Sequence, residues 1–197
     1  MPEFFEIEVS LLGIEPRIWR RFLVRKQATL EELHLAIQDA CGWQNYHYFV
    51  FRDDRSYVGR ELAGIPQEDR YGENRPPTPH PAVVKVADCF ACTQPQPIYY
   101  EYDFGDSWLH EVKLTRCVEL PEHFTRRLLA GERAFPPEDC GSTPGYEECL
   151  EALAHKENPD PDIGGYEREE LERRLEWLGD WQPERFDLKV TKKSFDR

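Results

Sequence analysis

Apolar and polar residues alternate at the start of the chain. In "FFEIEVSLL", residues 4–12, Phe5, Ile7, Val9 and Leu11 fall on one face, and Glu6, Glu8 and Ser10 on the other. A period of two predicts a half-buried strand. "GIEP" at 13–16 turns the chain, and "RIWRRFLV" at 17–24 returns it as an antiparallel partner. The period then lengthens. Leu30, Leu33, Ile37 and Cys41 recur at helical spacing, Thr29 and Glu32 form a capping box, and Gly42 occupies the C′ position. A helix over 29–41 follows.

"HYFVFR" at 47–52 predicts a strand, and a further strand is expected around Tyr57. Residues 61–82 hold five prolines and two glycines and predict an irregular insert. "AVVKVADCFAC" at 82–92 fits a strand or a short helix equally well. "PIYYEYD" and "SWLHEVKLTRCVEL" predict a hairpin closed by "DFGDS", in which Gly105 supplies a positive φ and Asp103 and Asp106 bond nearby amides. The last third is helical in pattern. "PGYEECLEALAH" carries Tyr146, Cys149, Leu150 and Leu153 on one stripe, with Thr143 as N-cap and Pro144 at N1. "YEREELERRLEWLGDW" carries Leu171, Leu175 and Leu178 and ends at Gly179. "RFDLKV" suits a short tail strand. Strands first and helices later predict one α+β domain with a mainly antiparallel sheet and helices packed on one face.

Charge narrows the functions. The 197 residues carry net charge −13, and the acid excess grows along the chain: −1 over 1–60, −4 over 61–130 and −8 over 131–197. Phosphate-backbone binding needs the opposite sign, which argues against nucleic acid as a partner. A membrane partner is not expected either, because no run approaches the ~20 apolar residues of a span. The expected setting is the cytoplasm, with all six cysteines as thiols. The basic residues Arg17, Arg20, Arg21, Arg25 and Lys26 are expected to pair with the protein's own acids.

Two acidic segments carry the candidate chemistry. In "YYEYDFGDSWLHEV", 99–112, Asp103, Asp106 and His110 offer two carboxylates and an imidazole, a set that can ligate a divalent metal or act as acid and base. In "FPPEDCGSTPGY", 135–146, two prolines stiffen the approach to Glu138 and Asp139. Turn chemistry and a rigid loop entering a helix account for both segments without a ligand. His34, on the apolar side of the first helix, and His47 are further candidates, each also readable as a satisfied core or rim histidine. Sharper motifs fail. "DFG" lacks the other kinase signatures, and Cys89 and Cys92 have zinc spacing but no second pair.

Four segments in order, "GIEPRIWRRFLV", "TLEELHLAIQDACGW", "YEYDFGDSWLHEV" and "PPEDCGSTPGYEECL", resemble the plasmid pRiA4b ORF-3-like family over about residues 4–190. The resemblance implies a single α+β domain and no established activity; some members carried on insertion elements are labelled resolvases. The family often has a cysteine shortly before its "PPEDCGG" segment, which this chain lacks.

Three functions compete. The first is a module binding a small molecule or protein partner in a cleft of His34, Trp43, His47, Tyr102, Asp103, Asp106, Trp108, His110, Glu138 and Asp139, with Trp19 on its wall. The second is a divalent-metal enzyme of hydrolase type, with Asp103, Asp106 and His110 on the metal and Glu138 and Asp139 beside it. The third, DNA recombination, lacks the basic region it needs.

Overall fold

In the computed structural model, residues 1–65, 77–90, 92–93 and 95–197 are described. Among them are β1 (Glu3–Leu11), β2 (Trp19–Arg25), α1 (Leu30–Cys41), β3 (Phe49–Arg52), β4 (Glu61–Ile65), α2 (Val86–Cys89), β5 (Ile98–Tyr102), β6 (Trp108–Glu119), β7 (Arg126–Glu132), α3 (Ser142–Glu157), α4 (Gly165–Leu178) and α5 (Leu188–Phe195). The strands form one antiparallel sheet in the order β4-β3-β5-β6-β1-β2-β7, an α+β domain with its helices on one face.

The alternation read from β1 decides which face is covered. Phe5, Ile7, Val9 and Leu11 join Phe22, Val24, Tyr100, Tyr102 and Val112 in the main core, with Leu30, Leu33 and Ile37 of α1 packed onto them. The opposite face carries charge. Arg17 and Arg21 both reach Glu8, and Arg116 reaches Glu6. Lys26 pairs with Glu3, so three of the five basic residues at 17–26 neutralise the protein's own acids. Arg20 turns inward instead. It donates to the carbonyls of Ala40, Trp19 and Glu132 and lies over the Phe186 ring at 3.9 Å.

α1 begins and ends as its caps dictate. Thr29 and Glu32 form the reciprocal box, and Gly42 at φ 82° returns its amide to Gln38. Elsewhere the structure departs from the pattern. Residues around Tyr57 form a bend and turn rather than a strand. Glu61–Ile65 is an edge strand paired with β3, not part of an irregular insert; residues 66–76 of that insert lie outside the described residues. "RFDLKV" enters α5, because the Asp187 side chain caps the amides of Lys189 and Val190; a six-residue run cannot separate the two periods. α3 starts at Ser142 from a left-handed Gly141 as N-cap, two residues before the expected Thr143 cap. β7 has no clear alternation in sequence because a bulge opposite Arg21 and Phe22 interrupts its register.

Cys92 and Cys117 form a disulfide, so the six cysteines are not all thiols; Cys41, Cys89, Cys140 and Cys149 are free. Cys117 lies on β6 opposite Phe5 of β1, and Cys92 approaches it to a Cα separation of 6.4 Å, within disulfide range.

Candidate functional site

Three loops meet at one end of the sheet. The first is 43–48, between α1 and β3. Gly42 ends the helix and Asn45, at φ 61°, redirects the chain. Its position is fixed by the Asn45 amide donating to Gln38 Oε1 at 3.1 Å and the His47 amide donating to the Tyr102 hydroxyl at 3.2 Å. The second is the 103–107 turn. Asp103 and Ser107, not Gly105, take the positive φ values there, 56° and 55°, which a short polar side chain tolerates. Asp103 Oδ1 accepts the Gly105 amide at 2.9 Å, the Asx turn expected from the sequence. The third is 135–141, where Asp139 also has positive φ, 65°.

The loops are cross-linked through the acids. Asp106 Oδ2 accepts the Gly141 amide at 3.0 Å. Glu138 accepts from the Gln44 amide at 2.6 Å and from the Tyr102 hydroxyl. Trp43 Nε1 donates to the Pro136 carbonyl at 2.9 Å. Burial, and then the hydrogen bond to Glu138, push the Tyr102 phenol well above its usual range, so it remains a donor. The imidazole of His47 lies between two carboxylates, its Nε2 2.7 Å from Asp139 Oδ1 and 3.7 Å from Asp103 Oδ2. Asp103 therefore does two things at once: one oxygen closes the turn and the other faces His47.

This differs from the metal set of Asp103, Asp106 and His110. Among the described residues, the group whose ligand atoms all lie within 4.8 Å of one another is His47, Asp103 and Asp139. His110 is fully buried. It shares strand parity with Trp108, Val112 and Leu114, so its ring enters the core against Trp43 and Phe135, and Nδ1 donates to the Trp108 carbonyl at 3.0 Å. Burial holds its pKa down to about 4. Asp106 holds the Gly141 amide instead of joining the trio. The period-two pattern of "SWLHEVKL" was the signal that places His110 inward.

His34 is also a core residue. It stacks on Phe49 with ring centroids 3.6 Å apart, and its two nitrogens meet the Tyr100 hydroxyl and Asn45 Oδ1, each at 2.7 Å. Desolvation takes its pKa to about 4. The expected aromatic walls are filled rather than open. Trp43 stacks on Tyr102 at 5.2 Å and meets Trp108 at 6.2 Å, all three buried, while Trp19 lies on the charged face of the sheet beneath Arg17 and Arg21. The open part of the acidic cluster is polar. His47 is 30 % exposed and Asp139 56 % at the side chain. Beside them a hollow of about 390 Å³ is lined by Leu35, Tyr46, His47, Tyr48 and Ile65 among others.

Residues 3–190 match the family model described as plasmid pRiA4b ORF-3-like protein. The chain belongs to this family. It is 33% identical over 174 residues to the uncharacterized protein y4hQ of Sinorhizobium fredii (strain NBRC 101917 / NGR234), covering 88% of this chain and 79% of that relative. It is also similar to a crystal structure of a protein of unknown function, MM3350 from Methanosarcina mazei Go1, with a TM-score of 0.77 and 32% identity over 96% of this chain and 98% of that one. The family match spans all three loops of the site. Among the described residues, no helix is long and apolar enough to cross a membrane.

Proposed function

We propose that the protein is a binding module whose recognising surface is the His47, Asp103 and Asp139 cluster, and that its ligand presents a positive charge. One observation carries this reading. Asp103 and Asp139 flank a single imidazole, Asp106 and Glu138 stand on the adjoining loops, and among the described residues no Lys or Arg lies within 4.0 Å of any of the four carboxylates. On the charged face of the sheet, by contrast, Glu6 and Glu8 are matched by arginines. Two carboxylates held on one imidazole repel each other, and a bound cation relieves that repulsion. The cytoplasmic setting belongs to the same proposal; four free thiols support it and the Cys92–Cys117 bridge weighs against it.

The second reading, a divalent-metal enzyme of hydrolase type, is favoured by the spacing of the same three ligand atoms. Residues in reach of a cation are His47 through Nε2 and the free oxygens of Asp103 and Asp139. A metal bound there would supply an activated water. The Nε2 proton now facing Asp139 would leave on coordination, so affinity would weaken as the pH is lowered.

Thermal unfolding with added Mn²⁺, Zn²⁺ or a small alkylamine separates the readings. A rise in melting temperature that the Asp103→Asn/Asp139→Asn double variant loses supports the cation site. The metal reading expects the response to Mn²⁺ or Zn²⁺ and not to the amine. If neither kind of cation shifts the wild-type transition, both readings fail.

A further inference from the structure

The hollow of about 390 Å³ beside His47 has an unusual lining. Most large apolar side chains of the protein are buried, yet Leu35, Tyr46 and Tyr48 meet here with 43%, 68% and 49% of their surface exposed. Apolar groups left open in one concave place mark a contact with a ligand or partner. Tyr46 is held in position by its hydroxyl, which donates to Gln44 Oε1 at 2.8 Å. No Lys or Arg lines the hollow among the described residues. Its acid is Glu31, whose carboxylate has no Lys or Arg within 4.0 Å among the described residues. Burial keeps His34 neutral near pH 7, so that ring adds no positive charge.

Two negative poles bound this hollow. The first is the pair Asp103 and Asp139. His47, whose Nε2 faces both carboxylates, lines the hollow, and the carbonyl of neighbouring Tyr48 accepts the Asp103 amide at 3.0 Å. This pole lies past the C-terminal end of α1, because Trp43 and Gln44, which follow that end, bond Pro136 and Glu138. The second pole, Glu31, stands in the first turn of α1. Asn45 is tied to Gln38 and His34, and the helix rise places Glu31 about 10 Å from Gln38 along the axis. The two poles therefore sit toward opposite ends of one hollow, with aromatic and aliphatic surface as its wall.

We propose that this hollow binds an aliphatic diamine. One ammonium group lies on Asp103 and Asp139, the methylene chain lies against Tyr46, Tyr48 and Leu35, and the second ammonium group lies on Glu31. The proposal rests on the reading that the acidic cluster takes a cation, and adds to it a second charge and an apolar body. Aromatic faces attract ammonium groups, and apolar walls attract methylenes. A bare metal ion uses the first pole and leaves the wall and Glu31 without a role.

The test is isothermal titration of the full chain with butylamine and with unbranched terminal diamines from putrescine to octamethylenediamine. At least one diamine should bind about tenfold more tightly than butylamine, the gain from one further charge-assisted contact on a linked ligand. Glu31→Gln should bring that diamine down to the level of butylamine. The Asp103→Asn/Asp139→Asn double variant should lose both, and Asn tolerates the positive φ at each position. If butylamine binds and no diamine binds more tightly, or if Glu31→Gln keeps the advantage of the diamine, the proposal is overturned while the cation reading stands. Binding of Mn²⁺ without binding of any amine overturns it in favour of the metal reading. If no cation of either kind binds, the proposal and the cation reading fall together.

Discussion

The backbone amide of Gly141 donates to the carboxylate of Asp106 at 3.0 Å, across 35 residues of sequence. This bond ties the β5–β6 turn to the proline-braced loop and sets Asp103 and Asp139 on either side of His47. Asp106 therefore positions the site without belonging to the trio that could hold a cation.

Asp106→Ala should lower unfolding stability by about 1 kcal/mol, the worth of a hydrogen bond to a charged acceptor discounted for its exposure. It should also weaken any cation response. Asp106→Asn keeps an oxygen for Gly141 and should stay within about 0.5 kcal/mol of wild type, the usual range for a surface change that breaks no bond. Urea melts of the two variants make the comparison. Equal losses in both would mean that charge, and not the bond, holds the loops together.

Gly145→Ala should be far more damaging than its small size implies. The new methyl would meet the Cys140 carbonyl oxygen at 1.8 Å, and that atom belongs to the backbone and cannot rotate away. We expect a loss of at least about 3 kcal/mol, in the range of severe overpacking. The loop carrying Glu138 and Asp139 should shift with it, which amide exchange at Gln44 and Gly141 would report.

Stability should fall with acid before the carboxylates titrate. His34 and His110 are both held near 4 by burial, against about 6.5 in the unfolded chain. The unfolded state thus binds more protons between those values. Stability is full above about pH 6.5 and is lost as pH drops toward 4, by about 1.4 kcal/mol per pH unit for each histidine. Denaturant midpoints from pH 7.5 to 4.5 give the slope. His110→Phe, which fits the aromatic surround of Trp43 and Phe135, should remove roughly half of it. An unchanged slope in that variant would assign the acid sensitivity to other groups.

The fold was largely written in local pattern. Alternation in residues 4–12 fixed the buried face of β1, and Thr29, Glu32 and Gly42 bounded α1, because caps and periodicity are properties of a few neighbouring residues. Short or interrupted segments were not legible in that way. "RFDLKV" needed the Asp187 cap to become helix, and β7 needed its partner strand.

The acidic segments, likewise, were visible in sequence as places dense in chemistry. Which side chains meet was not. Histidine choice turned on strand parity, which sends His110 into the core, and on Gly42 and Asn45, which swing His47 out to the carboxylates. The disulfide at Cys92 and Cys117 likewise joins segments 25 residues apart that only the folded chain brings together. Sequence alone determined the longer, regularly patterned elements such as β1 and α1 and their charge, since these follow from short-range sterics and solvation. Only the tertiary structure decided the constellation, because contacts spanning 35 to 94 residues depend on how whole strands and loops are laid side by side.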